Sequence, residues 1–212
     1  MTPQRKSADP PEGVIAALED VADRYSNLAG DLRADLAAAG SPDEAMELAG
    51  RSTLEMLAYL PLSPVYSPFC TFHHPGAVDC TGCRYAARYG RCTEAGSPYD
   101  LAVDAHYRLV EAVQGHRWCR VSGAHPIPVE MVRKALEYQA DRVIDLASRF
   151  RKRVLRARSS EEVMTVKTQF MIDLVGGLPV EEVCRSCGLM DSNLFEAKDE
   201  ALLRLSRHWP AG

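Results

Sequence analysis

The chain has 212 residues, 46% apolar and 25% charged, with 25 Lys and Arg against 29 Asp and Glu. Those proportions exclude disorder, collagen and coiled-coil fibre, and fit one large globular domain or two small ones. A net charge of −4 gives no global attraction to nucleic acid or to anionic membrane, so any such contact would need a local basic patch. What departs from the ordinary is seven cysteines, four of them within residues 70–92.

Met1 to Pro11 is polar and lacks the apolar stretch of a signal peptide. No apolar run approaches the roughly 18–20 residues of a membrane-spanning helix. The expectation is a cytoplasmic protein with a flexible arm over 1–11 and a single helical domain over 12–212. In a reducing compartment, clustered cysteines read as metal ligands or redox groups before structural disulfides.

Val14, Leu18, Val21, Tyr25, Leu28, Leu32 and Leu36 recur at helical spacing, between Pro11 and Gly40. Ser41-Pro42-Asp43-Glu44 opens a second helix with a capping serine, a proline in the first turn and an acid to close the box. It should run to about Leu60, where Pro61 and Pro64 stop it. Residues 61–97 then hold four prolines, four glycines and four cysteines, and read as an irregular metal-binding loop. Ser97-Pro98-Tyr99-Asp100 repeats the helix-start chemistry, with Gly115 at the far end. A Gly-, His- and Pro-containing linker leads to Pro128. The longest helix follows, with Val132, Leu136, Val143, Leu146, Phe150 and Val154 on one face. Another begins after Ser160 and ends at Gly176-Gly177; Pro179 opens a short helix closed by Gly188, and Ser192 opens the last. No strand pattern and no fixed-period repeat is present. The fold expected is an all-α bundle of about six or seven helices interrupted by one cysteine-rich loop.

Within that loop stand Cys70-Thr-Phe-His73-His74, then Cys80-Thr-Gly-Cys83, then Cys92, a C-x9-C-x2-C-x8-C spacing. A C-x-x-C turn directs two sulfurs toward one site, and Gly82, Pro75 and Gly76 let the chain double back to Cys70. Four thiolates satisfy an iron–sulfur cluster, with 4Fe-4S expected, or a tetrahedral zinc. The zinc alternative pairs Cys70 with His73 as one knuckle and leaves Cys92 spare. The packing alternative is four small buried side chains. Tyr66, Phe69, Phe72, Tyr85 and Tyr89 are candidates to shield a cluster. Arg84, Arg88 and Arg91, at helical spacing, are candidates to offset its charge or to form a plain solvated face.

His116 and Cys119, with Cys184 and Cys187, offer a second zinc set on paper, but Cys184 and Cys187 fall in a helical stretch where core packing explains them. His106 reads as a partly buried polar residue, and His125 and His208 carry no pattern. Residues 179–206 resemble the helix-turn-helix core, with Val183 and Cys184 at packing positions, Gly188 in the turn, and Leu189 and Leu194 behind it. The second helix suits DNA poorly: Glu196, Asp199 and Glu200 repel phosphate and only Asn193, Lys198 and Arg204 help. Arg149, Arg151, Lys152, Arg153, Arg156 and Arg158 flank an apolar stripe and read as a solvated face before a phosphate-binding one.

No P-loop, dinucleotide fingerprint, nucleophile elbow, zincin motif or di-iron carboxylate pattern is present. The sequence therefore points to a cluster-bearing, redox- or gas-responsive regulator or accessory protein rather than an enzyme. The alternatives are a structural-zinc adaptor, a helix-turn-helix regulator, and an enzyme whose cluster binds substrate. Partners expected are another protein or a second copy through helix faces, with no membrane.

Overall fold

Three serine-led starts set the helix boundaries, and the computed structural model, which describes residues 10–70, 80, 83–115, 128–186 and 192–209, shows how. Ser41 Oγ accepts the Glu44 N–H at 3.2 Å while the Glu44 carboxylate accepts the Gly40 N–H at 2.7 Å. Ser97 and Asp100 repeat this at 3.1 and 2.8 Å, the acid reaching back to Gly96. Ser159 and Glu162 do so at 3.1 and 2.6 Å, the acid reaching Arg158. Each pair satisfies a backbone donor inside the helix and one just ahead of the cap. The third helix of this kind thus begins one residue earlier than read, at Ser160, which is itself buried.

The elements are α1 (Glu12–Ala38), α2 (Pro42–Ala58), a 3-10 turn (Pro64–Tyr66), α3 (Arg84–Tyr89), α4 (Pro98–Gly115), α5 (Val129–Arg156), α6 (Ser160–Val175), α7 (Pro179–Ser186) and α8 (Ser192–His208). The protein is an all-α helical bundle. The stretch expected to be irregular holds the 3-10 turn and α3, so Arg84 and Arg88 share one helix, whereas Arg91 lies past its end beyond Gly90.

α1 packs along α5, and α6 and α7 lie against α5 as well. Phe170 of α6 stacks on Phe150 of α5 at 4.1 Å and meets Tyr25 of α1 edge-on at 5.2 Å. The fully buried Tyr25 hydroxyl donates to the Met56 carbonyl at 2.6 Å, which ties α1 to the last turn of α2. Thr53 Oγ1 donates to Ala49 and accepts the Val180 N–H at 3.0 Å, so one hydroxyl seats the start of α7 on α2. α4 lies between α2 and α8, with a His106 ring nitrogen 2.9 Å from the Leu57 carbonyl. Among the described residues no helix is long and apolar enough to cross a membrane.

The basic run on α5 is exposed. Arg151 bridges to Glu19 and Asp23 of α1 at 3.2 and 2.8 Å, and Arg149 to Asp145 at 2.9 Å. Solvent-facing pairs of this kind contribute at most about 1 kcal/mol. The C-terminal hairpin differs. Lys198 of α8 is buried in an ion pair with Glu181 of α7, both under 7% exposed, and Arg185 also reaches Glu181. Lys198 therefore cannot serve a phosphate backbone, which corrects its expected DNA-facing role; the turn of that hairpin, with Gly188 and Leu189, lies outside the described residues.

Removing one partner of a buried pair strands the other charge. Glu181→Ala should cost about 3–5 kcal/mol in urea denaturation, while Glu181→Leu combined with Lys198→Met should recover most of it. A double variant as unstable as the single one would contradict this account of the hairpin.

Burial holds the His106 imidazole below its ordinary pKa of 6.5, against the smaller opposing effect of the Leu57 carbonyl. The unfolded chain then binds the proton more readily, so stability contributed by neutral His106 is present above pH 6.5 and declines as pH falls below it. His106→Gln should be less stable than wild type at pH 7 and should narrow that gap by pH 5.5. A gap that widens on acidification would reverse the sign.

Candidate metal centre

The four loop cysteines arrive from separate local structures. Cys70 follows a turn in which its N–H reaches the Ser67 carbonyl at 3.2 Å. Cys80 and Cys83 close a tight turn, Cys83 N–H to Cys80 carbonyl at 3.0 Å, and Cys83 then caps α3, its carbonyl accepting from Ala87 at 2.9 Å. Cys92 follows α3 and is held through its carbonyl by Ser97 Oγ at 3.1 Å, the same hydroxyl that caps α4. Gly90 makes this return possible: at φ +80° and ψ 176° it occupies a region open essentially to glycine alone.

Cys70, Cys83 and Cys92 line one small, partly open cavity of about 20 Å³, and Cys80 packs beside them in the same small apolar cluster. Cys83 is buried and the other three are half-buried. Cys70, Cys83 and Cys92 carry free thiols. The thiols oppose one another's ionisation. Burial first, then Cys70, Cys80 and Cys83, push the Cys92 thiol up to about 11. Burial likewise raises Cys70, helped by Cys83 and Cys80 and opposed by Ser67 and Lys167.

Tyr85, Tyr99 and His208 line the cavity, and an aromatic cluster built on Trp209 packs behind the cysteines. Trp209 lies 5.3 Å from Phe69, 5.7 Å from Tyr89 and 6.3 Å from Tyr85 by ring centroids, and donates through Nε1 to Thr165 at 3.1 Å. The Tyr85 hydroxyl stands 3.0 Å from Nδ1 of the buried His208. Burial, and then the charge of Lys167, push His208 down to about 3, so this imidazole is neutral. Burial, followed by Cys92 and Cys70, pushes the Tyr99 phenol up to about 12. The Tyr89 hydroxyl is buried with no hydrogen-bond partner among the described residues.

Lys167 of α6 reaches the same cavity with 1% of its surface exposed. Burial lowers it to about 8, and the one group that favours its charge is Cys70. The arginines do other work. Arg84 pairs with Glu161 at the start of α6, and Arg88 lies over the Tyr89 and Trp209 rings at 5.1 and 5.5 Å. The positive charge inside the cavity therefore comes from Lys167 and not from the α3 arginines. Neither Lys167 nor the His208–Trp209 end belonged to the expected site. One signal for the lysine was present: it is the sole basic residue of α6, a helix buried almost all round.

Among the described residues, no three of His, Cys, Asp and Glu converge tightly enough to hold a single metal ion. His73, His74 and Phe72 lie outside the described residues, as do His116, Cys119 and Cys187 of the second cysteine set. Cys184 is fully buried in the main core, as the packing reading required. Tyr66 packs against the main core and not the cysteine wall. The fold and site together define an all-helical protein with a cysteine-lined, lysine-bearing pocket. Comparison with protein-family models, curated proteins and solved structures finds no match.

Replacing Gly90 tests the geometry that returns the chain to Cys92. A Cβ there would meet only the Glu94 carboxylate at 3.4 Å, so space is adequate and strain dominates. Gly90→Ala should lose about 1–3 kcal/mol and lower the thermal midpoint. An unchanged midpoint would show that the positive φ is not required.

Proposed function

We propose that this chain carries an iron–sulfur cluster, of the 4Fe-4S type, on Cys70, Cys80, Cys83 and Cys92, and acts as a redox- or gas-responsive regulator or accessory protein. The observation that carries the reading is that Cys70, Cys83 and Cys92 line one cavity with a buried lysine while Cys80 packs into the same apolar cluster. Burial and the neighbouring thiols disfavour the thiolate at Cys70 and Cys92, and a cation that takes the place of their protons would reverse this, which is how metal binding couples to thiol chemistry. Phe69, Tyr85 and Trp209 give the cluster an apolar, aromatic surround, which suits an iron–sulfur centre.

A cluster gives all four cysteines a role, one on each iron, whereas the zinc alternative uses Cys70, His73, Cys80 and Cys83 and leaves Cys92 spare. When bound, the cluster supplies one-electron redox chemistry. The chain's own residues hold it, shield it and set its charge.

Regulation follows from what the site joins. Its wall is built from the loop, α3, the first turn of α4, α6 and the end of α8. All four ligands lie within residues 70–92, so cluster loss would free that segment from itself and loosen the surface on which α6 and the end of α8 pack. A reducing cytosol would preserve the thiols for this use.

Anaerobic purification with iron, sulfide and zinc analysis and a visible spectrum decides the matter. The expected result is a brown protein with iron and acid-labile sulfide, from which Cys→Ser at any of the four positions removes the chromophore. A colourless protein with one equivalent of zinc, retained in Cys92→Ser but lost in His73→Ala, would establish the zinc adaptor instead.

A further inference from the structure

We infer that Lys167 is the built-in counter-charge of the cysteine site, a positioning residue whose ammonium offsets the thiolates and sets the reduction potential of the centre they hold. The inference rests on the metal-centre reading above and assigns a role to a residue outside the ligand set.

Among the described residues two lysines are buried, and they differ in what they meet. Lys198 meets the Glu181 carboxylate inside the hairpin, the usual requirement for an ammonium withdrawn from water. Lys167 is more deeply buried, at 1% exposure, yet among the described residues it forms no ion pair with a carboxylate. It lines the cavity shared by Cys70, Cys83 and Cys92, and the acidic group whose charge bears on it is Cys70. His208, which α8 places on the same cavity, stays neutral, because burial and then the Lys167 charge disfavour its protonation. Tyr85 and Tyr99, from α3 and α4, complete the titratable lining, and both are held in their neutral phenol form by burial.

An ammonium in this position lacks a counter-ion until the thiols become thiolates. A 2+ core on four thiolates leaves about two net negative charges, which a single buried ammonium reduces to about one. The match is reciprocal: the centre neutralises the lysine and the lysine offsets the centre. Net charge and hydrogen bonds to sulfur are two of the factors that set cluster potential, so loss of the ammonium should make reduction harder.

The test compares full-length wild type with Lys167→Met and Lys167→Gln, reconstituted anaerobically with iron and sulfide. Circular dichroism establishes that each is folded. Methionine removes charge and donor together; glutamine keeps a donor without charge. Both variants should shift the reduction equilibrium at least tenfold toward the oxidised form, a midpoint about 59 mV more negative for one electron. Equal midpoints in all three proteins would overturn the role of Lys167 while leaving the cluster intact. A shift in Lys167→Met alone would assign the effect to the hydrogen bond and overturn the charge argument. Wild-type protein that takes up no iron fails the metal-centre reading itself. Zinc-loaded wild type also fails the cluster reading, and there the lysine is tested by release of zinc to a chelator. Release at least tenfold faster in both variants supports the counter-charge, and unchanged release overturns it.

Discussion

Lys167 occupies a place where an ammonium ion is expensive. Its helix is apolar on nearly every side, with Val163, Met164, Val166, Phe170 and Met171 buried around it, and its charged end is directed to a cavity instead of to water. Desolvation alone would favour a neutral amine. The neighbour that could reverse this preference is Cys70, and Cys70 and Cys92 face the mirror-image problem, since burial and the other thiols oppose their ionisation. The two frustrations have a common solution: a bound cation that converts thiols to thiolates, and thiolates that stabilise the ammonium. Around this arrangement the loop, α3 and three longer helices meet.

How those parts reach one another depends on ordinary core packing elsewhere. Tyr25, Phe150 and Phe170 lock α6 against α1 and α5, which fixes the register of α6 and so the direction in which Lys167 projects. Thr53 and the Glu181–Lys198 pair fix α7 on α2 and α8 on α7. α8 then delivers His208 and Trp209 to the cysteines from more than a hundred residues away in sequence. The main core thus sets distances for a smaller cluster that contributes little apolar area of its own.

What could be read beforehand divides along the same line between local and remote. Serine-led caps with an acid three residues on are local chemistry: the starts at Ser41 and Ser97 form as read and the third is displaced by one residue to Ser159, although in each the acid reaches one residue further back than a simple capping box. The apolar stripes of α1 and α5 were equally plain, because 3.6-residue periodicity survives in any tertiary setting. The cysteine spacing was legible for a related reason: a C-x-x-C turn is short-range. The remote half of the cavity left no comparable trace. His208 and Trp209 carry no motif, and Arg84 and Arg88, adjacent in sequence to the cysteines, are engaged by Glu161 and by aromatic rings, while the buried Lys167 comes from a helix more than seventy residues on.

The C-terminal hairpin shows why a motif-like outline is insufficient for a function. Its second helix buries Lys198, one of the few cations that could have met a phosphate, and spends its opposite end walling the cysteine cavity. α8 is thus pinned at two places: to α7 by the buried Lys198–Glu181 pair, and to the loop and α3 by Trp209 against Phe69 and His208 against Tyr85. On the reading proposed above, a change at the thiols would act on the second of these places while the first stays fixed, so α8 would be the route by which it reaches the exterior.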